Sequence, residues 1–307
     1  MLRRQTGAAI ILAMLTLALM AEIAALVVTD YGAAAELLVG RQDQEQSRWL
    51  ARGAVDWARN VLAQDKKTSL NDHLGEAWAT RVAPTQVEDG EVSGEITDYS
   101  GRFDLNSLVT GGIVDTGQRD AYKQLLTLLG LPPQQAAGLS AALVDWLDAN
   151  SVTEQYGAET DWYVAQGKGY RAANGLLVDV DELRLIRGYD DSVMDRIRPF
   201  VAAFPAAAPL NANTASPEVL SATISGLGID DARVLVARRQ AAAFGKASDF
   251  TDQLSPKAVK PATGRVDVTS RYFLVGGRAK YGQAVTRMQV LLDRKDVWPT
   301  IVWQKVL

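Results

Sequence analysis

The chain has no cysteine and only one histidine, His73, in 307 residues. The lack of cysteine rules out disulfides, thiolate nucleophiles and thiolate metal sites. Compartment stays open, because oxidising compartments permit disulfides without demanding them in a domain of this size. A Ser, His, Asp arrangement has only His73 to build on, and that residue falls in a polar stretch behind a helix-forming segment. It reads as a surface or helix-start histidine. Carboxylates are plentiful, but their spacing singles out no acid and base pair, so no enzyme is expected. Positive charge is scarce: 32 Lys and Arg stand against 36 Asp and Glu, and the net charge is -4. With a pI near 5.2 there is no general attraction to phosphate backbones. Arg4 and Arg41 have no basic residue between them, and Thr29 to Leu62 contains no proline.

The basic-free stretch is occupied by AAIILAMLTLALMAEIAALVV, Ala8 to Val28. At ~1.5 Å per residue it spans the ~30 Å hydrocarbon layer. A secretory signal has a shorter apolar core, roughly 7 to 15 residues, ending at its cleavage site. Here the apolar run begins at the candidate scissile point, after Arg3, Arg4 and Gly7. With both arginines ahead of the run, the positive-inside rule puts the N-terminus in the cytoplasm and the bulk of the chain outside. Beyond the run, Leu50, Ala54, Trp57 and Val61 recur at helical spacing and predict one packed face. Gly32, Gly40 and Gly53 each cost ~1 kcal/mol relative to alanine in such a helix.

Sheet signals occur at both ends of what remains. Glu91 to Asp98 alternates as a strand, and Tyr272 to Val275, Val285 to Leu292 and Thr300 to Val306 are β-rich, separated by GGRAKYG and DRKDVWP. Between them the pattern is helical: Ala121 to Leu129, Gln134 to Leu147, Val180 to Ile186, Pro217 to Ile224 and Asp230 to Gln240. The expected fold is α+β, a long N-terminal helix packed on an antiparallel sheet with a large inserted all-α domain. The expected boundaries are a leader at 1-7, the long helix at 8-62, the first part of the α/β domain at 63-104, the insert at 105-264 and C-terminal strands at 265-307.

Within the insert, Ser140 to Asp195 carries eleven acidic residues against four basic. With Asp148 as position one, Asn150 falls at three, Glu154 at seven and Glu159 at twelve, roughly the recurrence of oxygen ligands in a calcium loop. Thr153 stands where an EF-hand needs glycine, so this is not an EF-hand. The stretch reads either as a solvated acidic loop or as a site for a hard cation such as calcium, with candidate ligands Asp148, Asn150, Glu159, Glu154 and Asp161.

Two further stretches, LLTLLGLPPQQAAGLSAALVDWL and VLSATISGLGIDDARVLVARR, both read as helix, Gly-Leu hairpin, helix. The second resembles the helix-hairpin-helix module, in which backbone N–H groups hold a nucleic-acid phosphate. However, Asp230 and Asp231 occupy the helix start. Leu210 to Ser255 also holds four basic residues against five acidic.

DHLGEAWA, GEITDYSGRFDLNSL, VDWLDANSVTEQYGAETDWY, YRAANGLL, VDELRLIRGY, LNANTASPEVL and TSRYFLVGGRAKYG, together with the leader RRQTG and AAIIL, resemble the GspK family. These are the largest minor pseudopilins of the type II secretion system. The resemblance implies a pilin-like fold and cleavage by prepilin peptidase between Gly7 and Ala8, with methylation of Ala8. It implies a single-pass inner-membrane anchor with a periplasmic body. The implied work is nucleating and capping the tip of a pseudopilus with GspI-like and GspJ-like minor pseudopilins and the major pseudopilin. It also implies calcium in the helical domain. Leu12, the fifth mature residue, stands where most pseudopilins carry glutamate, as expected of a GspK-like chain. The alternative reading is a membrane-anchored helix-hairpin-helix receptor for nucleic acid.

Overall fold

The computed structural model describes residues 6–307. Arg3 and Arg4, and with them most of the expected leader, lie outside the described residues. Helix α1 runs unbroken over Thr6–Thr68, through Gly32, Gly40 and Gly53 and six residues past the expected end. Lys66 and Lys67 in its last turn suit the negative end of the helix dipole. Gly7, Gly32, Gly40 and Gly53 meet nothing where a Cβ would sit, so packing within the chain does not call for glycine there.

Only the second half of α1 is packed. Its buried face is Ser47, Ala51, Val55, Ala58 and Leu62. This corrects the expected face by one position: Trp57 is 53% exposed, and Leu50 and Val61 are flanking residues. Ala51 and Ala58 let the helix axis come close to a sheet whose own residues supply the bulk, so the large apolar residues were the wrong guide.

That sheet has five antiparallel strands in chain order: β1 (Val82–Val87), β2 (Gly90–Asp98), β3 (Tyr272–Tyr281), β4 (Ala284–Asp293) and β5 (Thr300–Val306). Ile96, Phe273, Val275, Ala279, Met288, Val290 and Leu292 cover α1 from one face. Each such large buried side chain contributes ~1.5–3 kcal/mol. β2 and β3 are direct neighbours, with Asp98 opposite Phe273, so everything between them is an insertion into one sheet. GGRAKY continues β3 where a turn was expected, and the hairpin closes through the Gly282 and Gln283 that follow. Glycine suits this strand centre because a Cβ on the facing Gly94 would come within 2.6 Å of the Gly276 carbonyl.

The insert is a helical body whose core runs from Phe103 to Val268, slightly wider than expected. Helices α2 (Thr116–Leu128) and α3 (Pro133–Leu147) form one hairpin. Next come α4 (Thr160–Ala165), α5 (Asp191–Ile197) and the second hairpin, α6 (Pro217–Thr223) with α7 (Ile229–Ala241), followed by α8 (Ala247–Thr251). Val180–Leu185, expected as α-helix, is a 3-10 turn. The hairpins turn on Gly130 and Gly226, at φ 84° and 77°. α2 packs on both α3 and α6, and α6 packs on α7, so the two hairpins lean on each other. A small cluster of Ala202, Phe204, Tyr272 and Leu291 seats the body against the other face of the sheet, with Phe204 stacked on Tyr272 at 4.4 Å.

Candidate functional site

The first half of α1 lies bare along its length, and its most apolar stretch has a mean hydropathy of 2.5. It is long and apolar enough to cross a membrane. Ala8, Leu12 and Glu22 are all exposed on it.

The acidic loop, by contrast, folds inward. Asp145, in the last turn of α3, is fully buried at 0% exposure, and its Oδ1 accepts the Glu154 N–H at 2.9 Å. Asp148 follows as the C-cap, also buried, and accepts the Asn150 N–H at 3.1 Å. Glu159, 4% exposed, caps α4 through Oε2 and the Thr160 N–H at 3.2 Å. Asp145 Oδ2 and Glu159 Oε1 are buried with no well-formed hydrogen bond, although the Ala158 N–H also acts on the Asp145 carboxyl. Buried polar atoms are almost always satisfied, and these two carboxylate oxygens have the chemistry to bind a hard cation or a water.

Burial pushes the Asp145 carboxyl up to about 6, and Asp148 and Glu154 push it the same way. Asp148 and Glu159 are raised by burial first and by neighbouring carboxylates next. Of the residues expected at this site, the fold gathers Asp148, Glu154 and Glu159. Asn150 sits at the exposed rim, its Oδ1 accepting the Val152 N–H at 2.7 Å. Asp161 faces solvent in the first turn of α4. Sequence reasoning missed Asp145, although it lies one helical turn ahead of Asp148, where both share a face. The loop is also tight: Tyr156 has φ 74°, and a Cβ on Gly157 would come within 2.0 Å of Asp145 Oδ2. Among the described residues, the trio of carboxylates that each bring one oxygen within 4.8 Å of the others lies elsewhere: Asp65, Asp72 and Glu76. The Arg294 guanidinium already pairs with the first two.

The hairpins are poorly made for phosphate. The first turns through Pro132 and Pro133, which have no N–H to donate. At the second, a Cβ on Gly226 would meet the Lys257 carbonyl at 2.2 Å, so a neighbouring segment covers the turn. The His73 ring is held in a local turn, its Nδ1 accepting the Gly75 N–H at 3.1 Å.

The protein-family descriptions that match are both "Type II secretion system (T2SS), protein K", over residues 101–206 and 210–269. Each span contains one hairpin, and together they cover the inserted body. A type II secretion system protein K from Pseudomonas aeruginosa is 34% identical over 95% of this chain and 89% of its own length. The chain belongs to the type II secretion system protein K family. A protein K from Klebsiella pneumoniae is 32% identical, over 95% of this chain and 93% of its own. Among solved structures, the GspK-GspI-GspJ complex of enterotoxigenic Escherichia coli holds a chain with a TM-score of 0.77 and 22% identity. The match covers 88% of this chain and 99% of that one, and bears on the fold alone. For the protein K family, the helical body inserted between β2 and β3 is thus the part that the family descriptions capture.

Proposed function

We propose that this protein is a non-enzymatic minor pseudopilin, held in the inner membrane by α1 until it enters the tip of a type II secretion pseudopilus. One observation carries this reading: a bare apolar helix continues without a break into the α1 half that packs on the sheet. Such a helix can be drawn from lipid into a helical bundle without refolding the body. The family membership supports a secretion role, and the solved relative whose fold it shares was crystallised with GspI and GspJ. The partners proposed here are the I-like and J-like minor pseudopilins, followed by the major pseudopilin, after prepilin peptidase cuts between Gly7 and Ala8. The body projects from the sheet end of α1, so a subunit stacked above would collide with it. That favours the tip over the shaft.

The same reading includes a calcium ion at the acidic loop. The stranded oxygens of Asp145 and Glu159, beside buried Asp148, fit a hard cation that prefers oxygen ligands. Glu154 and, from the rim, Asn150 are the further ligands proposed, and Asp161 adds negative charge nearby. Bound there, the ion would supply the positive charge that the buried carboxylates lack.

The test of the tip assignment uses the β2–β3 adjacency. Asp98 and Phe273 are opposite each other, so residues between Ser100 and Arg271 can be replaced by a short turn that rebuilds a hairpin. The trimmed subunit is expected to appear along the shaft, whereas the intact chain appears only at an end. Imaging that finds the intact chain repeated along the shaft sinks the capping role.

A further inference from the structure

The acidic loop already has a cation of its own. We propose that Arg119 is a built-in counter-ion for this site, and that a divalent cation and Arg119 compete for the side chain of Glu154. This rests on the reading of the loop as a cation site.

Arg119 lies in the first turn of α2, where its N–H bonds the Asp115 carbonyl at 2.9 Å. Its side chain reaches across to the loop, with Nη1 at 3.5 Å from Glu154 Oε2. That contact is long, single and partly solvated, so it is a weak pair. A well-made guanidinium–carboxylate pair uses two parallel N–H groups. Here Nε is buried and has no acceptor. Arg119 Nε, Asp145 Oδ2 and Glu159 Oε1 are three of the eight buried side-chain polar atoms left without a partner among the described residues. Arg119 meets the Glu154 side chain and Asp145 accepts the Glu154 N–H, so one unmet donor and one unmet acceptor belong to partners of Glu154.

Glu154 is built to turn between them. Its main chain is pinned on both sides, the N–H to Asp145 Oδ1 at 2.9 Å and the carbonyl to the Gly157 N–H at 2.8 Å. Only the side chain is free to change partner. The other guanidinium at the loop, Arg187, is spent on the Gly157 carbonyl at 2.9 Å and lies over the Trp162 ring. It pairs with none of the four carboxylates. A dication beside Asp145, Asp148 and Glu159 offers Glu154 a stronger counter-charge than one distant N–H. Binding would then release Arg119 to solvent and cut the tie between the loop and α2. Without the ion, Arg119 keeps the loop docked on the helix that leans on the second hairpin. The site would thus exchange one positive group for another without ever facing its four carboxylates alone.

The experiment is a double-mutant cycle on the full chain in detergent: unmodified protein, Arg119→Gln, Glu154→Gln and the pair. Terbium serves as the probe, its emission sensitised by Trp146 on α3 and Trp162 on α4, and calcium competes it off. Ion-free melting curves check that each variant folds. Arg119→Gln is expected to tighten calcium binding about fivefold, the factor that ~1 kcal/mol gives. In the Glu154→Gln background the same change should do nothing. Equal tightening in both backgrounds overturns the proposal, because Arg119 then acts only as a nearby charge. An unchanged affinity in Arg119→Gln overturns it too, and leaves the calcium site standing. Absence of saturable binding in all four proteins removes the calcium site and the competition together.

Discussion

Asn211 and Asp98 sit 113 residues apart in sequence and are joined by a buried hydrogen bond of 3.1 Å, the amide Nδ2 donating to Oδ2. Asn211 belongs to the helical body and Asp98 to the end of β2. The same Nδ2 donates to the Asp72 carbonyl at 3.1 Å and to Ser270 Oγ at 2.7 Å, while Oδ1 accepts the Asn213 N–H at 2.8 Å. Asp98 also accepts from Ser270 Oγ at 2.6 Å and from Thr214 Oγ1. Arg294, 2% exposed, closes the network by pairing with Asp65 at the end of α1 and with Asp72. The LNAN stretch, which sequence could recognise only as a family signature, is the joint between the two domains.

Asn211→Ala takes a donor from buried Asp98, Ser270 and the Asp72 carbonyl on the sheet side of that joint and leaves the Asn213 N–H on the body side without its acceptor, and should cost ~2–3 kcal/mol. Asn213→Ala is the comparison, because Asn213 bonds Phe244 inside the body alone, at 3.0 Å and 2.9 Å. Both should lower the melting temperature, but only Asn211→Ala should let the domains move relative to each other. The chain has no cysteine, so two introduced cysteines carry spin labels without interference. A distance distribution across the joint that stays equally narrow in both variants refutes the role given to Asn211.

The joint should also respond to pH. Burial pushes Asp98 up to about 6, against the pull of its Ser270 and Thr214 hydrogen bonds, and Asp65 is likewise raised by burial first. A carboxyl whose folded pKa exceeds its unfolded value binds protons more tightly when folded. Its contribution therefore grows as pH falls from about 7 through 6 and levels off near 4, amounting to up to ~3 kcal/mol for Asp98. Melting temperature should rise over this window, with a shallower slope in Asp98→Asn. Parallel slopes would show that Asp98 titrates normally.

Calcium at a hundredfold excess over its Kd should add about 2.7 kcal/mol of stability if it binds only the folded chain. Chelation is then expected to lower the melting temperature, and Asp145→Asn and Glu159→Ala should each erase the difference. Matching curves with calcium and with chelator, at equal ionic strength, would leave the loop without an ion.

Mass spectrometry of the membrane-extracted protein should find a chain that begins at Ala8 and carries one added methyl group. Gly7→Val should leave the leader attached, because a side chain there obstructs close approach to the scissile bond. The helix itself tolerates the change, since nothing lies near a Cβ at that position. An intact leader in the unmodified protein overturns the assignment.

How much of this was legible in the sequence varies by element, for physical reasons. β5 spans Thr300–Val306 as expected, because clear turn residues mark the start of a short edge strand, and a bulge at Leu291 and Leu292 shifts its register without ending it. β1 was missed, since Pro84 sits within it and its side chains are mostly exposed, as an edge strand allows. The insertion was readable from sheet signals at both ends of the chain. Its seam was not, because Asn211, Asp98 and Arg294 meet only once the chain has doubled back. At the acidic loop, spacing singled out Asp148 and Glu159, and both are buried. Asp145 was hidden inside the apolar run of α3, where an isolated carboxylate reads as a helix residue.

The buried Arg294 also fixes how α1 can move. Its guanidinium grips Asp65 and donates to the Leu62 carbonyl at 3.5 Å, while Asp43, nearer the bare half of α1, accepts the Gln283 N–H of the β3–β4 hairpin at 3.1 Å. Clasped at two heights, the helix cannot spin inside its own subunit. A twist applied to its bare half by neighbouring helices must turn the sheet and helical body as well. The outer surface of the body, far from that axis, would sweep through an arc. The chain is in that sense built like a crank: rotation of its bare helix half would become lateral travel of a surface far from the axis.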